Sequence, residues 1–266
     1  MTFSSSTTSV INPRRDSARA MNVNSDKSQL VSTREISVWD PWVRITHWGL
    51  VICVAGSWLT RELEGDWFAW HVRFGYAVLV LVITRILWGF VGTRHARFSD
   101  FVRGPRAIVA YLKAAAREYP QGHNPLGALM IVAVLALLLV QAVTGLFAND
   151  QVFETGPLFG HVTIETSDFL TTLHKQTFDW ITAAIGVHVA AALFYLWVMR
   201  ENLILPMITG RKRIDGLSAS TDHPQAPPAP ATREPRWWLA VLIAGLVAGA
   251  LAWVVTTAPE AGLYTF

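Results

Sequence analysis

Five long apolar stretches limit the folds that are open to this chain of 266 residues. Each is close to the roughly 20 residues that an α-helix needs to cross a bilayer, and helices satisfy their own backbone polar groups in hydrocarbon. The composition agrees, since 52% of the residues are hydrophobic and only 15% are charged. We therefore predict an all-α, integral membrane protein. The stretches run over 42–59, 67–90, 126–148, 170–199 and 237–257.

Lysine and arginine are distributed unevenly among the segments that separate these stretches. They are frequent before the first stretch, between the second and third, and between the fourth and fifth, whereas residues 148–173 contain neither. The positive-inside rule then places the N-terminus in the cytoplasm and the C-terminus in the periplasm. This topology explains the net charge of +3. A nucleic-acid partner is not expected, because the basic residues are split among three segments.

The first four stretches are expected to form one helical bundle over 36–213, with the fifth as an additional transmembrane helix over 237–257. Residues 1–35 are polar and lack the apolar core of a signal peptide, which predicts a disordered cytoplasmic arm. The Pro-rich segment 214–236 is predicted to be a cytoplasmic linker, and 258–266 a short periplasmic tail.

Two histidines, His174 and His188, lie fourteen positions apart in the fourth stretch. On an α-helix that spacing is within roughly 40° of a whole number of turns and rises about 21 Å, so both rings face one side at different depths. An imidazole in hydrocarbon is costly unless it is bound, which makes each one a functional hypothesis. Iron is the partner that fits best. The one cysteine, Cys53, is not in a CxxCH motif, so a haem here would be noncovalent and b-type.

Two further histidines match these depths. With the N-terminus inside, His47 lies near the cytoplasmic end of the first stretch and His71 near the periplasmic end of the second. His188 is then level with His47, and His174 with His71. The predicted cofactors are therefore two haems b, inner and outer, each with two axial histidines as metal ligands. The open alternative is that the four are unrelated polar residues at helix ends.

The other four histidines are weaker candidates for ligands. His95, His123 and His223 fall in predicted cytoplasmic segments, where a solvated loop residue is the expectation. His161 lies in a predicted periplasmic loop, near the outer haem or a docking partner.

Several short motifs carry a resemblance to a known family. They are VWDPWVRITHW at 38–48, RILWGFVG at 85–92, Arg97-Phe98, Thr144-Gly145-Leu146 and the His174/His188 helix. With these motifs, residues 36–213 resemble the bacterial cytochrome b561 and nickel-iron hydrogenase cytochrome b subunits. The resemblance implies a four-helix haem-binding bundle in the bacterial inner membrane. It also implies one axial histidine from the first helix, one from the second and two from the fourth, in agreement with the pairing by depth.

Three arginines are candidates for contacts with the haem propionates. Arg44 and Arg85 fall near the predicted inner haem and Arg73 near the outer one, where an anionic partner is expected for a costly charge. Snorkelling to the interface is the open alternative. Thr177 and Asp179 are expected to orient the second ring nitrogen of His174. Glycines in the apolar stretches let helices or a flat macrocycle approach closely; they are Gly56, Gly75, Gly145 and Gly186.

Two axial histidines leave iron no open coordination site, so the predicted function is electron transfer. We expect electrons to cross the inner membrane between a periplasmic redox partner, a c-type cytochrome or a hydrogenase subunit, and the quinone pool of a respiratory chain. Two alternatives stay open: a self-contained quinone oxidoreductase acting on a small molecule such as superoxide, and a non-redox protein that handles protons or another metal. Acid–base or nucleophilic catalytic residues are not predicted.

Overall fold

The computed structural model describes residues 34–37, 39–63, 67–93, 96–102, 104, 106, 109, 125–152, 154–214 and 237–258. Most of the predicted N-terminal arm, linker and C-terminal tail lies outside these residues, as do His95, His123 and His223. The chain divides into two compact units. One holds the helices, and the other holds most of a pair of short strands.

Helices account for most of the described residues. They are α1 (Pro41–Glu62), α2 (Trp67–Val91), α3 (Phe98–Phe101), α4 (Pro125–Gly145), α5 (Ile164–Trp197), α6 (Ile204–Thr209) and α7 (Trp237–Thr256). A 3₁₀ turn, Phe159–His161, lies between α4 and α5, and His161 is exposed in it. Strand β1 (Arg34–Ser37) pairs with β2 (Arg211–Ile214). The sequence does not indicate this sheet, because strands of 4 residues are too short to show a period-two pattern.

Polar caps determine where the two helices at the centre of the site begin. Asp40 Oδ1 accepts a hydrogen bond from the Trp42 backbone N–H at 2.7 Å. Pro41 occupies the first helical position, where its missing N–H would be unpaired in any case. Helix α5 begins after Thr163, whose hydroxyl accepts from the Thr166 backbone N–H at 3.3 Å. These caps set the starting points of α1 and α5, both of which carry candidate ligands.

Four of the described helices, α2, α4, α5 and α7, are long and apolar enough to cross a membrane. Helix α1 is also long enough, at 22 residues, but it is less apolar because its first two turns carry Arg44, Thr46 and His47. Helix α5, at 34 residues, is longer than a bilayer requires. The protein is therefore a multi-pass membrane protein, and the predicted class, an all-α membrane bundle, is confirmed. A fifth crossing, by α1, stays a prediction.

Helix α2 makes the most varied helix contacts in the bundle. It packs against α1, α4 and α7, while α5 packs against α4. The main core joins Val82 of α2 to Leu135 of α4 and Ile181 of α5, all of them buried. A second core joins Trp88 of α2 to Ala240 of α7. The additional C-terminal helix therefore packs directly on α2, which carries His71.

Candidate functional site

The four candidate histidines come together in two pairs. The rings of His47 on α1 and His188 on α5 have centroids 6.2 Å apart, and we call them the first pair. The rings of His71 on α2 and His174 on α5 have centroids 6.3 Å apart, and we call them the second pair. Helix α5 contributes one ring to each pair, at a spacing that rises about 21 Å along the helix. These are the pairs that the depth argument predicts.

The separation within each pair suits two imidazoles that bind one metal ion from opposite sides. A nitrogen–metal bond is about 2 Å long, and a ring centre lies about 1 Å from its nitrogen. Two such imidazoles on opposite sides of one metal ion therefore have ring centres roughly 6 Å apart. Within the described residues, no group of three or more His, Cys, Asp or Glu gathers for a bare ion. Each pair therefore suits a metal that brings its other ligands with it, as the iron of a haem does.

Backbone carbonyls orient both rings of the second pair. His71 Nδ1 lies 2.8 Å from the Ser57 carbonyl oxygen, and His174 Nδ1 lies 2.9 Å from the Gln141 carbonyl oxygen. Because a carbonyl only accepts, Nδ1 carries the proton in each ring and donates it, which leaves the lone pair on Nε2. A metal-binding imidazole has the same arrangement. The sequence does not reveal these two partners, because every residue has a backbone carbonyl.

The hydrogen-bond partners of the His174 ring lie on helix α4, whereas the sequence leads us to expect Thr177 and Asp179. That expectation is wrong, because side chains on a helix lean towards its N-terminus and the ring of His174 turns away from the residues that follow it. Instead, Thr144 Oγ1 lies 3.3 Å from Nδ1, and the Gln141 side-chain amide donates to Nε2 at 3.1 Å. The sequence signal for Gln141 is its polarity in an otherwise apolar stretch.

Glycines allow close approach at the second pair. At Gly145, the last residue of α4, an added Cβ would lie 2.9 Å from His174 Cε1, so a larger residue would displace the ring. At Gly75, one helical turn after His71, an added Cβ would meet nothing within 4 Å. Gly56 allows helix packing instead, because a Cβ added there would overlap the Phe74 ring of α2. The open space beside Gly75 is suited to a flat ligand held at His71.

A cavity of about 260 Å³ surrounds the second pair between α1, α2, α4 and α5. Most of its lining is apolar, and the two imidazoles and the Gln141 amide are among its few polar groups. Charged residues on its lining are Arg61, Asp150, Glu154 and Lys175. An apolar cavity with a few convergent polar groups is the usual form of a cofactor site.

The first pair is more open than the second. His188 is exposed and His47 is half-buried, and His47 Nδ1 is buried without a hydrogen-bond partner among the described residues. Buried polar groups are normally paired, so such donors in one region indicate an acceptor that binds there. Further buried donors without a partner in the described chain are Trp42 Nε1, Arg44 Nε, Thr84 Oγ1, Arg85 Nη1 and Trp88 Nε1.

The three candidate propionate contacts differ in their surroundings. Arg85 is only 6% exposed, and its Cζ lies 5.3 Å from the Phe98 ring centre. Arg44 donates from Nη1 to a backbone carbonyl of α6 at 2.9 Å. Arg73 is exposed, with its Cζ 4.8 Å from the Trp70 ring centre, and it does not line the cavity of the second pair. Of the three, Arg85 is the most buried; the Asp40 carboxylate acts on it electrostatically, but Nη1 has no hydrogen-bond partner among the described residues.

A bundle of helices long and apolar enough to cross a membrane, with imidazoles in pairs between them, is compatible with the class of membrane b-type cytochromes. The model of the prokaryotic cytochrome b561 family matches residues 38–210 of this chain, well over half of its length. The chain belongs to this family, as its motifs indicate. It is therefore a b-type cytochrome of the membrane that takes part in electron transfer.

The relatives of this chain include proteins named as probable Ni/Fe-hydrogenase B-type cytochrome subunits. The one from Bradyrhizobium diazoefficiens is 25% identical over an alignment of 229 residues, and the match covers 73% of this chain and 92% of the relative. Those from Rhodobacter capsulatus and Azotobacter vinelandii are 27% and 26% identical, and each match covers 66% of this chain and 81% or 87% of the relative. No solved structure matches the chain. The similarity thus extends over most of each relative.

Proposed function

We propose that this protein is a di-haem cytochrome b that carries electrons across the bacterial inner membrane. One observation carries the proposal: His188 and His174 of the single helix α5 each face a second imidazole, at 6.2 and 6.3 Å between ring centroids. With the N-terminus in the cytoplasm and the C-terminus in the periplasm, the first pair would be the inner site and the second pair the outer site.

The first pair would hold the inner haem and the second pair the outer haem. When bound, haem would supply one-electron redox chemistry, and the two imidazoles of each pair would hold its iron. Residues around the pairs orient the histidine rings and set the basicity of the ring nitrogens that would bind iron. At the second pair, the carbonyls of Ser57 and Gln141 accept the Nδ1 protons at 2.8 and 2.9 Å. These bonds strengthen each Nε2 as a ligand and hold its orientation.

Arg44 and Arg85 are the proposed contacts of the inner haem propionates. A buried guanidinium is costly unless an anion compensates it, and Arg85 Nη1 and Arg44 Nε are both buried without a partner in the described residues. Arg73, the sequence candidate for the outer haem, has a weaker basis, because its exposed guanidinium already rests on the Trp70 ring.

The proposed partners are a quinone and a periplasmic redox protein, either a c-type cytochrome or a hydrogenase subunit. The names of the relatives support the hydrogenase, since they describe probable subunits of Ni/Fe hydrogenases. Segment 148–173 carries acidic residues and neither lysine nor arginine, which suits a basic partner surface. Its acidic residues are Asp150, Glu154, Glu165 and Asp168.

A reduced-minus-oxidised spectrum and haem quantification of the purified protein test this function. We expect two noncovalent b-type haems per chain, both low-spin because both axial positions are taken. A chain that binds no haem would exclude every haem function and leave the proton- or metal-handling alternative. Oxidation of a small molecule coupled to quinone reduction by the isolated chain would instead favour the self-contained oxidoreductase.

A further inference from the structure

Two cations that are not among the sequence candidates for haem contacts lie on the cavity of the second pair. Arg61 is in the last turn of α1, and Lys175 directly follows His174 on α5. Both line the same cavity as His71 and His174. Because α1 and α5 are more than a hundred residues apart in the sequence, only the tertiary fold brings these two charges to one site.

Neither cation is held by a strong ion pair. Arg61 Nη1 lies 3.6 Å from Glu62 Oε1, but the two side chains are 53% and 58% exposed, and pairs this exposed contribute little. Lys175 has no ion pair within the described part of the chain. Arg61 Cζ lies 5.9 Å from the ring centre of Phe178, another cavity residue, so the guanidinium lies against the wall that also carries His174.

The nearest loop uses its own carboxylate internally. Asp150, which also lines the cavity, accepts hydrogen bonds at Oδ1 from the backbone N–H groups of Val152 and Glu154, at 2.9 and 2.8 Å. These bonds tie the carboxylate to the turn that it closes. Glu154 is a second carboxylate on the lining, so the cavity carries two cations and two anions. Among the described residues, neither of these carboxylates forms an ion pair with Arg61 or Lys175.

We infer that Arg61 and Lys175 bind the two carboxylate groups of the haem held by the second pair. The inference rests on the proposed function. Haem b carries two carboxylates at one edge of a flat apolar ring, and this cavity offers two axial imidazoles, apolar walls and two cations. Arginine binds a carboxylate through two parallel bonds, and lysine binds it as a point charge. Arg73, the competing sequence candidate for this haem, does not line the cavity, so a variant of Arg73 separates the two assignments.

The assignment has a redox consequence. Reduction removes one positive charge at the haem, so nearby cations favour the reduced form. Neutralising Arg61 and Lys175 should therefore lower the midpoint potential of the haem at the second pair. The haem of the first pair would lie about 21 Å further along α5. Because the Coulomb energy falls with distance, its potential should change less than that of the haem at the second pair.

The test is a redox titration of the double variant Arg61→Gln/Lys175→Gln with both haems bound, with His71→Ala used to identify the spectral component of the second pair. We expect the equilibrium for electron sharing between the haems to shift about three- to tenfold towards the first pair, as for loss of two partly exposed charge pairs. The charge-preserving variant Arg61→Lys/Lys175→Arg should keep most of the wild-type distribution. Arg73→Gln should leave it unchanged.

An anionic lipid head group has the same chemistry as a haem carboxylate, so the titration is run in phosphatidylcholine vesicles and in vesicles that also contain phosphatidylglycerol. A shift in both supports the haem carboxylates. A shift only with phosphatidylglycerol would assign the cations to lipid and overturn the inference. An equal shift in Arg73→Gln, or none in the double variant, would overturn it while the proposed function stands. Wild-type protein without haem would instead remove the proposed function itself.

Discussion

The two histidine pairs share helix α5 and nearly the same ring separation, yet their surroundings differ. At the second pair, both Nδ1 atoms lie within hydrogen-bond distance of carbonyls, and a cavity encloses the rings. At the first pair, His188 is exposed and His47 Nδ1 is buried without a partner among the described residues. The difference arises because α4 packs along the part of α5 that carries His174 and supplies polar groups to its ring. Helix α5 thus presents equivalent ligands in two unequal environments.

The largest expected effect comes from removing a ligand. We expect His71→Ala and His174→Ala to eliminate the same haem, and His47→Ala and His188→Ala the other, because each pair would share one iron in the proposed function. The measurement is haem stoichiometry, falling from two to one, together with the spectral component that is lost. If His47→Ala and His71→Ala removed the same component, the pairing would be wrong.

A smaller effect is expected at Arg85, a proposed contact of the haem at the first pair. Arg85→Gln should weaken haem retention there by about 2–3 kcal/mol, the size of a hydrogen bond to a charged group. Haem loss to an apo-globin acceptor, followed at the wavelength of each component, measures this. Arg73→Gln is the control, because its side chain is exposed on the Trp70 ring. Equal haem loss from both variants would mean that Arg85 contributes only to the net charge of the protein and makes no direct contact with the haem.

Gly145 offers a comparable test of the second pair. Gly145→Ala should lower haem affinity at that pair by about 1–3 kcal/mol, the usual cost of overpacking, because the new Cβ would lie 2.9 Å from His174 Cε1. Haem stoichiometry and thermal loss of the second component measure the effect. Gly249→Ala on α7, where a Cβ meets nothing within 4 Å, is the control. Wild-type haem content in Gly145→Ala would show that haem binding does not depend on the close contact between His174 and Gly145.

The smallest effect is expected at Ser57. Its hydroxyl lies 3.1 Å from His71 Nδ1, but its carbonyl lies closer, at 2.8 Å, and survives substitution. Ser57→Ala should therefore change haem retention at the second pair by less than about 1 kcal/mol. Ser57→Pro is the contrasting variant, because it distorts the helix and moves the carbonyl. A large loss in Ser57→Ala would show that the hydroxyl, and not the carbonyl, orients His71.

Much of the bundle follows from the apolar lengths and the histidine spacing. The spans that α2, α4 and α7 form begin and end near the predicted boundaries, because hydropathy and helix length are local properties. Helix α5 begins at Ile164, before the predicted start at 170, because its cap, Thr163, precedes the apolar stretch. The positions of His174 and His188 on one helical face follow from the period of the helix alone. The short strands β1 and β2 have no such periodic signal, because only their pairing with each other stabilises them.

The partners of the rings show the limit of this reasoning. Thr177 and Asp179 are close to His174 in the sequence, but the groups that bond its ring come from α4, more than 25 residues earlier. Arg61 and Lys175 likewise share a cavity without any relation in the sequence. Such contacts depend on which faces of two helices meet, and similar apolar stretches permit several packings.

The sequence by itself determined the membrane helices, the family and the four candidate ligands, since these depend on composition, period and motif within single segments. Only the tertiary structure decided which carbonyls orient the rings, which glycine lets a ring approach and which cations line the cavity. The physical reason is that hydrogen bonds and close contacts act over a few ångströms between helices, at separations that helix packing alone sets.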